Sequence, residues 1–222
     1  MNKKLIILGI IFLIGAIVLK LLYVGIKNIK VDDFHKSAVI FIIDSSASNQ
    51  GMLDKEIKYL KSLCSILDPE DEIKILKVSE NSYLIYEGSP ANSKGITKAV
   101  EAFTQLNSKD YGTAYGEAIK KAFDHCLTMK KEGYVPAVVV IGDLENEGAI
   151  DKQINWDTLP DNISKAKESM PELTMMFVYA HPEKLDMVKE KLSPVLGEHH
   201  LVVASEQMAN KISTKFLDAI GR

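Results

Sequence analysis

The sequence predicts a doubly wound α/β domain preceded by one transmembrane helix. Short apolar runs rich in β-branched residues alternate with longer segments of helical periodicity along most of the 222 residues. This alternation is typical of a mostly parallel sheet with helices on both faces. An apolar run near the amino terminus is long enough to span a bilayer. We therefore expect a membrane anchor at residues 1–30 and a single domain at residues 31–222.

The segment from Leu5 to Ile26 is apolar except for Lys20. A helix needs about 20 residues to cross a bilayer, and Lys20 lies towards one end, where its side chain can extend to the interface. A cleaved signal peptide is the alternative, because its basic start and apolar stretch follow the same pattern. Since no small-residue cleavage site follows the run, the sequence favours an uncleaved single-pass anchor.

The distribution of charge bears on both the membrane orientation and the class of partner. Lysines on the two sides of the span are nearly balanced, and long domains cross membranes largely regardless of charge. The lysine count does not decide the orientation; we favour a domain outside the cytoplasm and leave the opposite side open. The first 30 residues hold five lysines and no acidic residue, which leaves 22 basic against 30 acidic residues in the domain. An acidic domain repels phosphate backbones, so nucleic acid is not the expected partner.

The first half of the domain begins with a strand and a helix. The run at 38–43 is apolar throughout, as a parallel strand buried on both faces should be. Apolar residues at three- and four-residue steps then predict a helix at about 52–67. Short strands at 73–78 and 83–86 flank a turn-prone segment, so we expect an antiparallel hairpin at the sheet edge.

The second half continues the same alternation to give six strands and about six helices. Ligands of such a sheet bind beyond the carboxyl ends of the strands, where the strand order reverses. The remaining predicted helices lie at about 94–105, 114–131, 160–169, 183–192 and 206–219, and the remaining strands at 135–141, 173–179 and 201–204.

Three segments place oxygen-bearing side chains at this edge of the predicted sheet. Asp44, Ser46 and Ser48 form the pattern D-x-S-x-S directly after the first strand. Thr113 precedes a helix, and Asp143 follows the strand that should neighbour the first. Two carboxylates and three hydroxyls are hard ligands that suit Mg²⁺, Mn²⁺ or Ca²⁺ and leave a position for an external oxygen. The sequence therefore predicts one divalent-cation site.

In this order, the three segments resemble the metal-ion-dependent adhesion site of von Willebrand factor type A (VWA) domains. The resemblance spans about residues 37–220 and implies a Rossmann-like VWA fold. It also implies that Ser46 and Ser48 coordinate the ion directly, while Thr113 and the two aspartates bind directly or through water. The vacant position would then accept a carboxylate from a protein partner.

The third segment departs from the family pattern. Glycine often follows the aspartate in VWA domains, whereas Leu144 follows Asp143 here. Glu145 and Glu147 come close behind, and they either shape the rim of the site or are solvated loop residues. We favour the second interpretation of the two glutamates.

The resulting functional prediction is a non-enzymatic, membrane-anchored module for adhesion or complex assembly. One alternative is a metal-dependent hydrolase or phosphatase, because an aspartate after a strand can also be a nucleophile. Ser46 stands where a haloacid-dehalogenase-like phosphatase has its second aspartate, and no G-x-S-x-G elbow occurs in the sequence. The other alternative is an assembly subunit of an ATPase or secretion machine, as several bacterial VWA proteins are. A bacterial origin is the expectation.

Other residues with reactive side chains are expected to have structural roles. Cys64 and Cys126 lie in predicted helices without C-x-x-C spacing, and the sequence leaves open whether they pair. His199 and His200 would point to opposite faces of a strand, which is poor geometry for joint metal binding. Trp156 is expected to pack against the domain rather than to contact a partner.

Overall fold

The computed structural model describes residues 35–104 and 112–222. The anchor predicted at 1–30 lies outside this part of the chain. Within the described ranges, no helix is long and apolar enough to cross a membrane. Every element of the structure therefore falls in the predicted domain.

Six strands of the described chain form one sheet. They are β1 (Ser37–Asp44), β2 (Glu72–Val78), β3 (Ser82–Gly88), β4 (Val135–Ile141), β5 (Thr174–Val178) and β6 (Leu201–Ala204). Their spatial order is β3-β2-β1-β4-β5-β6. The pairing is parallel except between β2 and β3, which form an antiparallel hairpin at one edge. The predicted strand number, the mostly parallel sheet and the edge hairpin are confirmed.

Helices cover both faces of the sheet, as predicted. They are α1 (Leu53–Ile66), α2 (Ser93–Thr104), α3 (Tyr115–Lys131), α4 (Leu159–Ser169), α5 (Pro182–Leu196) and α6 (Glu206–Ala219). One apolar core lies beneath α3, α4 and α5, and a second lies beneath α1, α2 and α6. A short 3-10 turn, Ile150–Lys152, lies in the loop after β4.

Side chains of β1 alternate between these two cores. Ile40 and Ile42 pack in the core beneath α3, whereas Val39, Phe41 and Ile43 pack in the core beneath α1. All eight residues of β1 are buried. Because successive side chains of a strand point to opposite faces, a strand covered on both sides must be apolar throughout. This explains the continuous apolar run in the sequence.

The strand order reverses between β1 and β4. The chain passes from β1 through α1 to β2 on one side, while β4 pairs with β1 on the other side, with Ile43 opposite Ile141. The carboxyl ends of these two strands therefore meet at the same edge of the sheet. Such a switch point opens a crevice, and Asp44 and Asp143 both lie there.

The structure places both cysteines and Trp156 in or against the two apolar cores. Cys64 and Cys126 are free thiols, and each is buried in a different one of the two cores. Trp156 is partly buried against the core beneath α3. The histidine pair lies in the turn before β6 rather than in a strand, and His200 Nδ1 is 3.1 Å from Thr174 Oγ1.

Candidate metal centre

Asp44 is the last residue of β1 and is fully buried. Its Oδ1 accepts the backbone N–H of Ser46 at 2.7 Å, and its Oδ2 accepts the Tyr115 hydroxyl at 2.8 Å. Burial, together with the charge of Asp143, raises the pKa of Asp44 to about 7 despite these hydrogen bonds. The carboxylate is thus oriented, and its negative charge is unfavourable where it lies.

The serines after β1 bring two hydroxyls together. Ser46 Oγ and Ser48 Oγ are 3.0 Å apart. Ser46 is buried and Ser48 is exposed, so the pair leads from the interior to the surface. The backbone turns here, because the N–H of Asn49 donates to the carbonyl oxygen of Ser46 at 3.2 Å. The sequence-predicted triplet therefore lies on one turn at the carboxyl end of β1.

Thr113 lies on the loop before α3 and is buried. Its backbone N–H donates to the carbonyl oxygen of Glu147 at 3.0 Å, and the next N–H, that of Ala114, donates to Ser79 at 2.8 Å. The Thr113 hydroxyl has no hydrogen-bond partner among the described residues. Since buried hydroxyls are normally paired, Oγ1 is an oxygen available to a ligand.

Asp143 follows β4 by two residues and is half-buried. Its Oδ1 accepts the backbone N–H of Glu145 at 2.8 Å. The preceding Gly142 has φ +153°, and a Cβ there would lie 2.1 Å from the Tyr115 hydroxyl oxygen and 2.6 Å from Asp44 Cβ. Glycine at 142 therefore allows the end of β4 to approach Asp44 closely.

Leu144 replaces the glycine of the family pattern but keeps a glycine-like backbone. Its φ is +61°, in the left-handed region, and its side chain is buried in the core beneath α3. That backbone costs a leucine about 1–2 kcal/mol. Burial of the side chain contributes about 2 kcal/mol in the other direction. The departure noted in the sequence is thus accommodated by packing.

The two glutamates after Leu144 are half-buried and have specific contacts. Ser48 Oγ donates to Glu147 Oε2 at 3.3 Å, and Glu145 forms an ion pair with Lys184 at 3.2 Å. Glu147 also carries the carbonyl that holds the Thr113 loop. This glutamate therefore forms part of the rim, which is the less favoured of the two sequence interpretations.

The structure adds residues that sequence analysis did not select. Besides Tyr115, these are Asn49 and Glu56, whose side chains are hydrogen-bonded to each other at 2.7 Å. Burial raises the pKa of Glu56 to about 8 against the opposing hydrogen bond from Asn49, and the charges of Asp44 and Asp143 act in the same direction as burial. The sequence does contain a signal for Glu56, because it lies on the apolar side of α1.

The residues present fit a divalent cation. Within residues 35–104 and 112–222, no group of three or more His, Cys, Asp or Glu side chains is placed to hold a metal. The predicted set is of a different kind, because it combines two carboxylates with three hydroxyls. The unpaired Thr113 hydroxyl and the buried Asp44 carboxylate are two features that a hard cation would satisfy.

Residues 39–146 match the family model of the von Willebrand factor type A domain. The match covers β1 to the loop after β4, and so includes all three segments of the candidate site. Together with the sheet order, this match supports the conclusion that the chain contains a VWA domain with an α/β VWA-like fold. A comparison with curated protein sequences gives no match.

Solved structures with the same fold come from organisms that are only distantly related to one another. BatB from Bacteroides thetaiotaomicron is 19% identical with a TM-score of 0.56, and the alignment covers 82% of this chain and 98% of that one. Manganese-loaded TRAP protein of Plasmodium vivax is 12% identical with a TM-score of 0.60, over 84% of this chain and 74% of that one. At these identities the comparison shows the fold.

A third solved structure is that of proximal thread matrix protein 1 from the mussel byssus, described with a zinc-occupied MIDAS motif, the metal-ion-dependent adhesion site. It is 10% identical with a TM-score of 0.57, and the alignment covers 83% of this chain. The chain spans less than half of that protein, 48%. Divalent metals thus occur in structural neighbours of this fold.

Proposed function

We propose that this protein is a membrane-anchored VWA domain that holds a divalent cation and uses it to recognise a carboxylate of a protein partner. The proposed ligands are Asp44, Ser46, Ser48, Thr113 and Asp143. The observation that carries the proposal is the buried Thr113 hydroxyl without a partner among the described residues, at the edge where the serine hydroxyls meet 3.0 Å apart. VWA domains as a family mediate metal-dependent protein–protein interactions.

The residues around the site explain why a partner would need the cation. Glu147 lies on the rim with Asp143 nearby, and Asp44 lies beneath, so an incoming carboxylate meets negative charge. A bound cation would reverse that local charge and supply an attraction for an acidic side chain. The domain's own part is to hold its ligands in orientation, which Tyr115 and the Ser46 N–H do for Asp44.

Mg²⁺ is the proposed ion, with Mn²⁺ or Ca²⁺ as substitutes. Two carboxylates and three neutral hydroxyls give an incomplete and modestly charged set of ligands. Mg²⁺ dehydrates reluctantly and usually keeps several waters, so it tolerates such a set and leaves a position open to a partner. The proposed activity is binding for adhesion or complex assembly, not catalysis.

The predicted anchor at residues 5–26 supports a single-pass membrane location. We expect the domain to lie outside the cytoplasm and the protein to be bacterial. A partner reached by this domain would then be a protein on the same side of the membrane.

Calorimetric titration of the full chain with Mg²⁺, Mn²⁺ and Ca²⁺ tests the proposal. Asp44→Asn and Asp143→Asn preserve side-chain size and should abolish or greatly weaken binding. Asp54→Asn is the matched control, because Asp54 is exposed on α1 and should leave binding unchanged. Absence of binding by the unmodified chain to all three ions would refute the metal-dependent function.

A further inference from the structure

We infer that Glu56 is a positioning residue of the candidate metal centre, and that it acts through Asn49 on the segment that carries Asp44, Ser46 and Ser48. This inference rests on the proposed metal-binding function. Glu56 belongs to α1, outside the three segments that define the site, and its side chain is fully buried.

Asn49 connects Glu56 with the candidate ligands. Its side-chain Nδ2 donates to Glu56 Oε2 at 2.7 Å and lies 3.5 Å from the backbone oxygen of Asp44. Its backbone N–H donates to the carbonyl oxygen of Ser46 at 3.2 Å. Asn49 is itself buried, with 3% of its surface exposed. The same residue therefore contacts the backbone at two of the five proposed ligands.

Glu56 determines which way the Asn49 amide faces. In its ionised form, which a bound cation would favour, the Glu56 carboxylate only accepts hydrogen bonds, so the amide must turn its NH₂ group, and not its oxygen, towards Glu56. In that orientation, the same NH₂ group is the one nearest the Asp44 carbonyl. An apolar residue at 56 would leave the amide free to rotate, and the turn after β1 would lose a constraint.

The charge of Glu56 supports the same role. Its Oε1 has no hydrogen-bond partner in the described part of the chain, although the residue is completely buried. A buried carboxylate with half of its acceptors unused is unfavourable in isolation. With Asp44 and Asp143 it forms a set of three carboxylates that interact electrostatically. Such a set favours a divalent cation over an empty site.

A purely structural role predicts a different outcome. If the Asn49–Glu56 hydrogen bond merely stabilised α1, neutralising Glu56 would lower stability with or without metal. If Glu56 acts on the metal centre, neutralisation removes an unfavourable buried charge from the metal-free protein at about pH 9, above the raised pKa of Glu56. The two roles therefore predict opposite signs for the metal-free melting temperature.

The test compares Glu56→Gln, Glu56→Asp and Asp54→Asn in the full chain. Mg²⁺ affinity is measured by calorimetry, and the melting temperature is measured in chelator at about pH 9, where Glu56 is ionised. Glu56→Gln should weaken Mg²⁺ binding about ten-fold, the scale of one partly screened charge at short range. It should not lower the metal-free melting temperature. Glu56→Asp keeps the charge and should recover most of the affinity, and Asp54→Asn should match the unmodified chain.

Each alternative result is decisive. Unchanged Mg²⁺ affinity in Glu56→Gln, with normal binding by the unmodified chain, overturns this inference alone. A lower metal-free melting temperature in Glu56→Gln, without recovery of affinity in Glu56→Asp, also overturns it in favour of a structural role. No Mg²⁺ binding by the unmodified chain overturns the proposed function and this inference together.

Discussion

The Tyr115 hydroxyl donates a 2.8 Å hydrogen bond to Asp44 Oδ2 and so connects the first residue of α3 to the last residue of β1. The same hydroxyl oxygen lies 3.4 Å from the backbone N–H of Leu144, in the loop after β4. Burial, followed by the charge of Asp44, raises the pKa of Tyr115 well above its ordinary value, so the phenol stays protonated and remains a donor. One side chain thus touches all three segments of the candidate site.

Removal of this hydroxyl should destabilise the domain. In Tyr115→Phe, Asp44 Oδ2 loses its donor while remaining buried, and we expect the free energy of unfolding to fall by about 1–3 kcal/mol. Urea denaturation measures the change. Tyr83→Phe is the control, because Tyr83 is 50% exposed and its loss should cost less than about 0.5 kcal/mol. Equal effects of the two substitutions would contradict the role given to Tyr115.

Gly142→Ala should be strongly destabilising for a steric reason. A Cβ at 142 meets the Tyr115 oxygen at 2.1 Å and Asp44 Cβ at 2.6 Å, so β1 and β4 would have to separate. We expect a loss of about 3 kcal/mol or more. Gly133→Ala is the matched control, because Gly133 has φ +92° with no atom within 4 Å of an added Cβ. It should lose only about 1 kcal/mol from backbone strain.

At Leu144, replacement by glycine should destabilise the domain less than replacement by alanine. Leu144→Ala removes buried apolar volume but keeps a side chain at φ +61°, so we expect a loss of about 2–4 kcal/mol. Leu144→Gly removes more volume but relieves the strain, so it should be about 1 kcal/mol more stable than the alanine variant. Chemical denaturation of both variants decides the matter. Alanine equal to or better than glycine would argue against strain at this position.

Without metal, the domain should become less stable as the pH rises. The folded-state pKa of Glu56 is raised from 4.5 to about 8 and that of Asp44 from 3.8 to about 7. A raised pKa means that protonation favours the folded state, so this contribution is complete below about pH 4 and is lost by about pH 8. In chelator, the free energy of unfolding should therefore fall from pH 5 to pH 8.

The Glu56→Gln variant supplies the control for this pH dependence. It lacks one of the two titrating groups, so its stability should change less across the same window. A free energy of unfolding that rises between pH 5 and pH 8 in chelator would contradict the burial of these two carboxyl groups.

The fold could be predicted from the sequence because strands buried on both faces are continuously apolar and alternate with helices of clear apolar periodicity. Predicted element boundaries generally agree with the structure to within one or two residues. α5 is the exception, because it continues through Pro194 to Leu196 and not to 192 as predicted. Leu196 is buried at helical spacing from Leu192, and this packing extends the helix by one turn.

The candidate site was only partly accessible from the sequence. The five proposed ligands were recognisable because each lies in a short sequence segment next to the end of a predicted strand or the start of a predicted helix. Tyr115 was missed because an aromatic residue at the start of a helix looks like any core residue. Glu56 lies three residues after Leu53 and four before Leu60, on the apolar side of α1. An acidic residue at that spacing was a usable signal, but its link to Asp44 through Asn49 depends on tertiary structure.

The two cysteines of the chain lie in cores on opposite faces of the sheet, so β-strands separate them. Burial raises the pKa of both thiols to about 12, so neither forms a reactive thiolate at neutral pH. A disulfide between them would require the sheet to come apart. The domain should thus keep the same structure and the same stability in oxidising and reducing surroundings.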